Sequence, residues 1–174
     1  MRGMKPVVLM AAAVALIVPA AETAARPGRN LDLSTGRVDG WAVLGRTPAG
    51  VHSLLGRPNF TDGPARRPYD IWGGRAEWST KVFYRREGSR LRAWSIVFER
   101  GPVVDPRLGN ILALKPTRFQ AAVRDRYADT FELRKQYRCR GGLCTGIFDA
   151  IEGTLHITFG TTPGRGTFVT VWSV

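Results

Sequence analysis

The sequence predicts an α+β protein made of two tandem modules, each a short helix followed by an antiparallel β-meander. Three observations predict it. Gly45 to Pro58 (GRTPAGVHSLLGRP) carries the signals for both ends of one helix. Leu91 to Glu99 alternates residue by residue like a strand. The spacing Pro48, Val51, Leu54, Leu55 returns as Pro116, Phe119, Ala122, Val123 at a constant offset of 68, a duplication of pattern rather than of residue identity. With 174 residues, 44% apolar and 10% aromatic, the chain has the material for a folded core, which excludes a disordered protein.

Residues 1–20 read as a secretory signal peptide. Arg2 and Lys5 precede an apolar run from Val7 to Val18, and small residues follow at Ala20 and Ala21. The run is shorter than the roughly 20 residues that cross a bilayer, so no membrane span is expected once it is removed. Residues 21–36, with Pro27, Gly28 and several polar side chains, are expected to form an exposed leader.

The first module is expected over 37–105. Trp41 and Val43 bring the chain in as a strand or extended arm. Thr47 is the N-cap, Pro48 the first helical residue and Gly56 the left-handed stop, with Pro58 preventing continuation. Val51, Leu54 and Leu55 form one apolar stripe, and His52, off that stripe, is expected to be exposed. A loop through Gly63, Pro64 and Pro68 leads to strands at Tyr69 to Trp72, Trp78 to Arg85 and Leu91 to Glu99, with a turn at Glu87-Gly88-Ser89. In the last strand Trp94, Ile96 and Phe98 share a bulky face with Arg92, suited to packing under the helix.

The second module is expected over 106–174. Its helix begins at Pro116 and sets Phe119, Ala122, Val123 and Tyr127 on one face. Strands follow at Phe131 to Tyr137, Thr145 to Phe148, Leu155 to Phe159 and Phe168 to Trp172, separated by Gly141-Gly142, Glu152-Gly153 and Pro163-Gly164. Cys139 and Cys144 bracket Arg-Gly-Gly-Leu and predict a disulfide across a hairpin end, contributing about 2 kcal/mol by chain entropy. Neither a second local thiol pair nor the two-residue redox spacing is present, so no metal is expected there.

Gly45-Arg-Thr47, Val51, Leu54-Leu55-Gly56-Arg-Pro58 and the tryptophan-rich strands after them resemble the outer-membrane assembly lipoprotein BamE (SmpA/OmlA) and the β-lactamase inhibitory protein family. In the latter, two such modules stand in tandem. The resemblance implies a helix-plus-sheet fold and a protein-binding sheet.

The chain carries +12, and loss of residues 1–20 leaves 24 basic against 14 acidic residues, or +10. Such a charge favours an acidic protein or an anionic surface polymer, with nonspecific attraction to nucleic acid. Because the arginines fall in scattered pairs, no single cluster is expected to dominate. The function expected is that of a secreted, non-enzymatic binding protein of unassigned target, without cofactor. Trp41 and Trp72, flanked by Asp39-Gly40 and Gly73-Gly74, and Arg66 and Arg67 in the Gly/Pro loop, are the expected partner contacts. The alternative is a small basic secreted hydrolase acting on nucleic acid or cell-wall polymer, with His156 as general acid and Glu152 or Glu99 as base. No Gly-x-Ser-x-Gly, His-Glu-x-x-His or Walker pattern accompanies them.

Overall fold

The computed structural model describes residues 28–73, 79–140, 142–164 and 166–174. The signal peptide expected over 1–20, the first part of the leader and the strand start expected at Trp78 lie outside the described residues. Strands β1 (Arg29–Asp32) and β2 (Arg37–Val38) come first, then helix α1 (Pro48–Leu55). Strands β3 (Phe60–Asp62), β4 (Tyr69–Trp72), β5 (Ser79–Glu87), β6 (Arg90–Arg100), β7 (Val103–Asp105) and β8 (Gly109–Asn110) precede helix α2 (Pro116–Arg126). The chain ends with β9 (Phe131–Arg140), β10 (Leu143–Ala150), β11 (Leu155–Thr162) and β12 (Gly166–Ser173).

Helix α1 begins and ends where its sequence specifies. The Thr47 hydroxyl oxygen accepts the Gly50 N–H at 3.2 Å and Pro48 fills the first turn, while Gly56 ends the helix at φ 81° and ψ −179°, a glycine conformation with positive φ but not the left-handed helical stop expected. Val51 and Leu55 are its buried residues. In α2 no side chain caps the first turn, since Lys115 stands at the N-cap, and Phe119 and Val123 are buried. Helices of eight and eleven residues are too short to persist alone in water, and both are held by the sheet.

The expected pair of helix-plus-meander modules is not what the chain builds. Strand dominates, and β6 pairs antiparallel with β12 from Phe98↔Val169 to Ser95↔Trp172. This joins all the longer strands into one eight-stranded sheet, β3-β4-β5-β6-β12-β11-β10-β9, beside a four-stranded sheet, β2-β1-β7-β8. Among the described residues the fold is β-rich with two short α-helices, and the boundary expected at 105/106 falls inside the smaller sheet. Periodicity reports which face a residue occupies, not which distant strand it meets, so the β6–β12 seam has no local signature.

Residues 28–36 are likewise not an exposed leader. β1 pairs in parallel with β7, Leu31 and Leu33 are fully buried, and the Leu33 N–H donates to Asp105 Oδ2 at 3.1 Å. The face assignment in β6 changes at a bulge: Phe83 pairs with Ser95 and Tyr84 with Ala93, leaving Trp94 unpaired and half-buried. Ile96 and Phe98 are buried as expected, with Ala93 rather than Trp94 joining them. The second-half sheet needs glycine where aromatic rings cross it, since a Cβ at Gly146 would lie 2.3 Å from the Phe159 ring. Among the described residues no helix is long and apolar enough to cross a membrane.

Candidate functional site

Among the described residues, α1 packs on β6, α2 packs on β9 and β11, and the β1–β2 turn of the smaller sheet meets Leu155 and Val171, all on the face of the eight-stranded sheet where Val82, Ile96, Phe98, Phe148, Ile157 and Val171 are fully buried. The opposite face is set by the same register with alternate residues. One row crosses it as Asp62, Tyr69, Phe83, Ser95, Trp172, His156, Asp149, Glu132. The next runs Phe60, Ile71, Lys81, Val97, Thr170, Thr158, Ile147, Lys135. Of these side chains only Ser95 is buried, so among the described residues no element covers this open face.

Neighbours within the face fix one another. The Tyr69 and Phe83 rings lie 5.0 Å apart, and Trp172 stacks on the His156 imidazole at 4.1 Å. Trp172 Nε1 donates to Thr158 Oγ1 at 3.0 Å. His156 Nδ1 pairs with Asp149 Oδ1 at 2.6 Å, and Arg134 Nη1 reaches Asp149 Oδ2 at 3.5 Å. Toward β3, Lys81 Nζ holds Glu99 at 2.8 Å and the Tyr69 hydroxyl donates to Asp62 at 3.0 Å. That hydrogen bond to the carboxylate raises the Tyr69 phenol, while the Gly63 N–H, followed by the Tyr69 hydroxyl, lowers Asp62. The face therefore has aromatic rings held by stacking and charges already paired at its margins.

Beneath the sheet, two buried carboxylates brace the helices and loops. Asp70 Oδ2 accepts from the Tyr84 hydroxyl at 2.7 Å and pairs with His52 Nε2 at 2.6 Å, while the Thr61 hydroxyl donates to Oδ1 at 2.6 Å. Asp105 accepts from the Tyr127 hydroxyl at 2.7 Å and from the backbone N–H groups of Leu33, Arg107 and Leu108. Burial first, and then these hydrogen bonds to carboxylates, push both tyrosines well above the ordinary phenol value. His52 is thus a half-buried ligand of Asp70 that lies edge-on to Trp72, not the free surface residue expected of it.

The expected contact residues divide. Trp41 is 54% exposed, and Arg66 and Arg67 are exposed in the loop between β3 and β4. Trp72 is 3% exposed and donates its Nε1–H to the Gly56 carbonyl at 3.0 Å, so it is core under the end of α1 and no surface contact. Its strand parity decides this: in β4, Asp70 and Trp72 face the helix side while Tyr69 and Ile71 face out.

His156, Glu152 and Glu99 do not assemble. Along and across the sheet, His156 and Glu99 are separated by two strand spacings and four residues, roughly 16 Å. Glu99 is bound to Lys81, and Glu152 is exposed in the turn after β10. The carboxylate on His156 is Asp149, which sequence reasoning missed. A hairpin centred on Glu152-Gly153 would have placed it, because such a turn sets Asp149 opposite His156.

Cys139 and Cys144 are bonded as expected, as a cross-strand pair near the β9–β10 turn. Among the described residues no cluster of His, Cys, Asp and Glu could hold a metal ion. No family model matches the chain, and no curated protein or solved structure matches it.

Proposed function

We propose that this chain is a secreted, non-enzymatic binding protein that docks a partner protein on the open face of its eight-stranded sheet. One observation carries this reading: the covered face buries Val82, Ile96, Phe98, Phe148, Ile157 and Val171 fully, while the opposite face keeps Tyr69, Phe83, Trp172, Phe168 and Ile147 half-exposed with no described element over them. Six strands of eight to eleven residues and two of three and four make a face of roughly 900 Å², against about 800 Å² that one partner contributes to an ordinary interface. Aromatic residues in the middle and paired charges at the margin are the distribution that such interfaces use. The net positive charge favours an acidic partner. The disulfide suits an oxidising compartment, which agrees with export by the expected signal peptide. The resemblance to the β-lactamase inhibitory protein family points to the same use of a sheet.

The test compares proteins captured from culture supernatant and cell surface by the wild type, by Tyr69→Ala and Trp172→Ala, and by Trp41→Ala. A partner that is lost with either face variant and kept with Trp41→Ala supports the reading. A partner lost only with Trp41→Ala overturns it. Hydrolysis of nucleic acid or cell-wall polymer by the wild type that His156→Ala abolishes would replace it with the enzymatic alternative, Asp149 then standing where Glu152 or Glu99 was expected.

A further inference from the structure

Strand β9 is an edge of the large sheet, and its sequence places Arg134, Lys135, Arg138 and Arg140 within seven residues. Strict alternation would send Arg134 and Lys135 to opposite faces. Two register shifts, between Thr145 and Ile147 and between Ile147 and Phe148, change that. Arg134 reaches Asp149, and Lys135 pairs with Ile147 and donates to Thr145 Oγ1 at 3.2 Å, so both lie on the open side. Arg138 pairs with Thr145 and Arg140 with Leu143, which keeps them on that side too. The bulges thus gather scattered basic residues into one strip about 20 Å long. Its acidic neighbours, Glu132 and Asp149, stand at one end, and Asp149 is already shared by His156 and Arg134. All four cations are exposed, and among the described residues Arg138 and Arg140 form no ion pair.

Charged, bulged edge strands also prevent sheets from stacking edge to edge, but either sign of charge serves that purpose. Four cations of one sign, three of them arginine, ask for an anion. An acidic polypeptide would engage a sheet edge through its main-chain ladder. Here the ladder is interrupted by the two bulges, and the Tyr137 N–H is already donated to Gln120 Oε1 of α2 at 2.7 Å. A chain that carries its charge in its own backbone needs no such ladder, and guanidinium groups match phosphate oxygens in a two-pronged contact.

We propose that the β9 strip of Arg134, Lys135, Arg138 and Arg140 is a binding site for a flexible, single-stranded phosphodiester chain. It takes that chain whether or not a protein occupies the aromatic rows beside it. Arg134 is partly neutralised by Asp149, which leaves three cations to displace counterions from the polymer.

The probe is a fluorescent oligothymidylate of about 12 nucleotides, followed by anisotropy with the full oxidised chain across a salt series. Three phosphate contacts to a single strand predict an affinity that falls about 20-fold between about 50 and 200 mM salt. The pair Arg138→Ala/Arg140→Ala should reduce that fall to about 3-fold, whereas Arg118→Ala/Arg124→Ala, which removes two exposed charges from α2, should leave it unchanged. Equal reductions from the two pairs would mean attraction spread over the whole surface and would overturn the site. Polyglutamate of similar length, bound as tightly as the oligonucleotide and equally sensitive to the Arg138/Arg140 pair, would overturn the phosphodiester assignment. Unchanged thermal unfolding of both pairs verifies that the folded proteins are being compared.

Discussion

Raising the pH should weaken the fold through two buried tyrosines. Tyr84 and Tyr127 are 1% and 0% exposed, and each hydroxyl donates to a buried carboxylate. Burial and the adjoining Asp70 or Asp105 raise both phenols, so in the folded chain they hold their protons to a higher pH than in the unfolded chain, where they ionise near 10. A group with a raised folded pKa contributes stability that is fully present below the unfolded value and is lost as pH rises through the folded one. Stability should therefore be level below about pH 9 and decline above about pH 10, by about 1.4 kcal/mol per pH unit for each tyrosine. One unit above the unfolded pKa, near pH 11, the two together should have removed about 3 kcal/mol. Tyr84→Phe abolishes one share of that slope. It also costs about 1.5–3 kcal/mol at neutral pH, because Asp70 loses a hydrogen bond in a buried setting. Urea titrations of wild type and Tyr84→Phe from neutral to alkaline pH should consequently converge as pH rises. Two curves that stay parallel through pH 11 or so would show that Tyr84 ionises as readily folded as unfolded, and the buried Asp70–Tyr84 pair would be wrong.

Further expectations concern packing and the cross-link. Leu55→Ala should destabilise by roughly 2–5 kcal/mol in a denaturant titration, and His52→Ala, which strips a partner from buried Asp70, by about 1–3 kcal/mol; a loss under about 0.5 kcal/mol for His52→Ala would restore it to a free surface residue. Gly160→Ala should lower the melting temperature sharply, because its Cβ would stand 2.1 Å from the Cys144 carbonyl oxygen across the sheet, and unchanged melting would contradict the β10–β11 register. Reducing Cys139–Cys144 should cost at most about 2 kcal/mol, read by thermal unfolding with and without reductant, since the loop it closes spans only five residues of separation.

The sequence made α1 legible because its capping chemistry is local: Thr47, Pro48 and Gly56 each act on a backbone group within a turn. Strand β4 was legible from Tyr69 to Trp72, but the inward placement of Trp72 was not, because glycines beside an aromatic say nothing about which parity the helix will cover. His52 was misplaced for a related reason: its helical position is polar, yet the carboxylate that makes the position polar comes from β4, eighteen residues away. The smaller sheet left almost no trace, since strands of two to four residues cannot display an alternation. The β9 strip was invisible as well. Counting charges along the chain gave dispersed pairs, whereas the bulges that align them depend on how β9 meets β10.

The open face itself is tested most directly by oxidative footprinting of aromatic side chains in the free protein and in complex with a captured partner. The account predicts that Tyr69, Phe83 and Trp172 lose reactivity together on binding, while exposed Trp41 keeps its own and buried Trp72 stays unreactive in both states. Protection of Trp41 with Tyr69, Phe83 and Trp172 unchanged would contradict it and move the interface off the eight-stranded sheet.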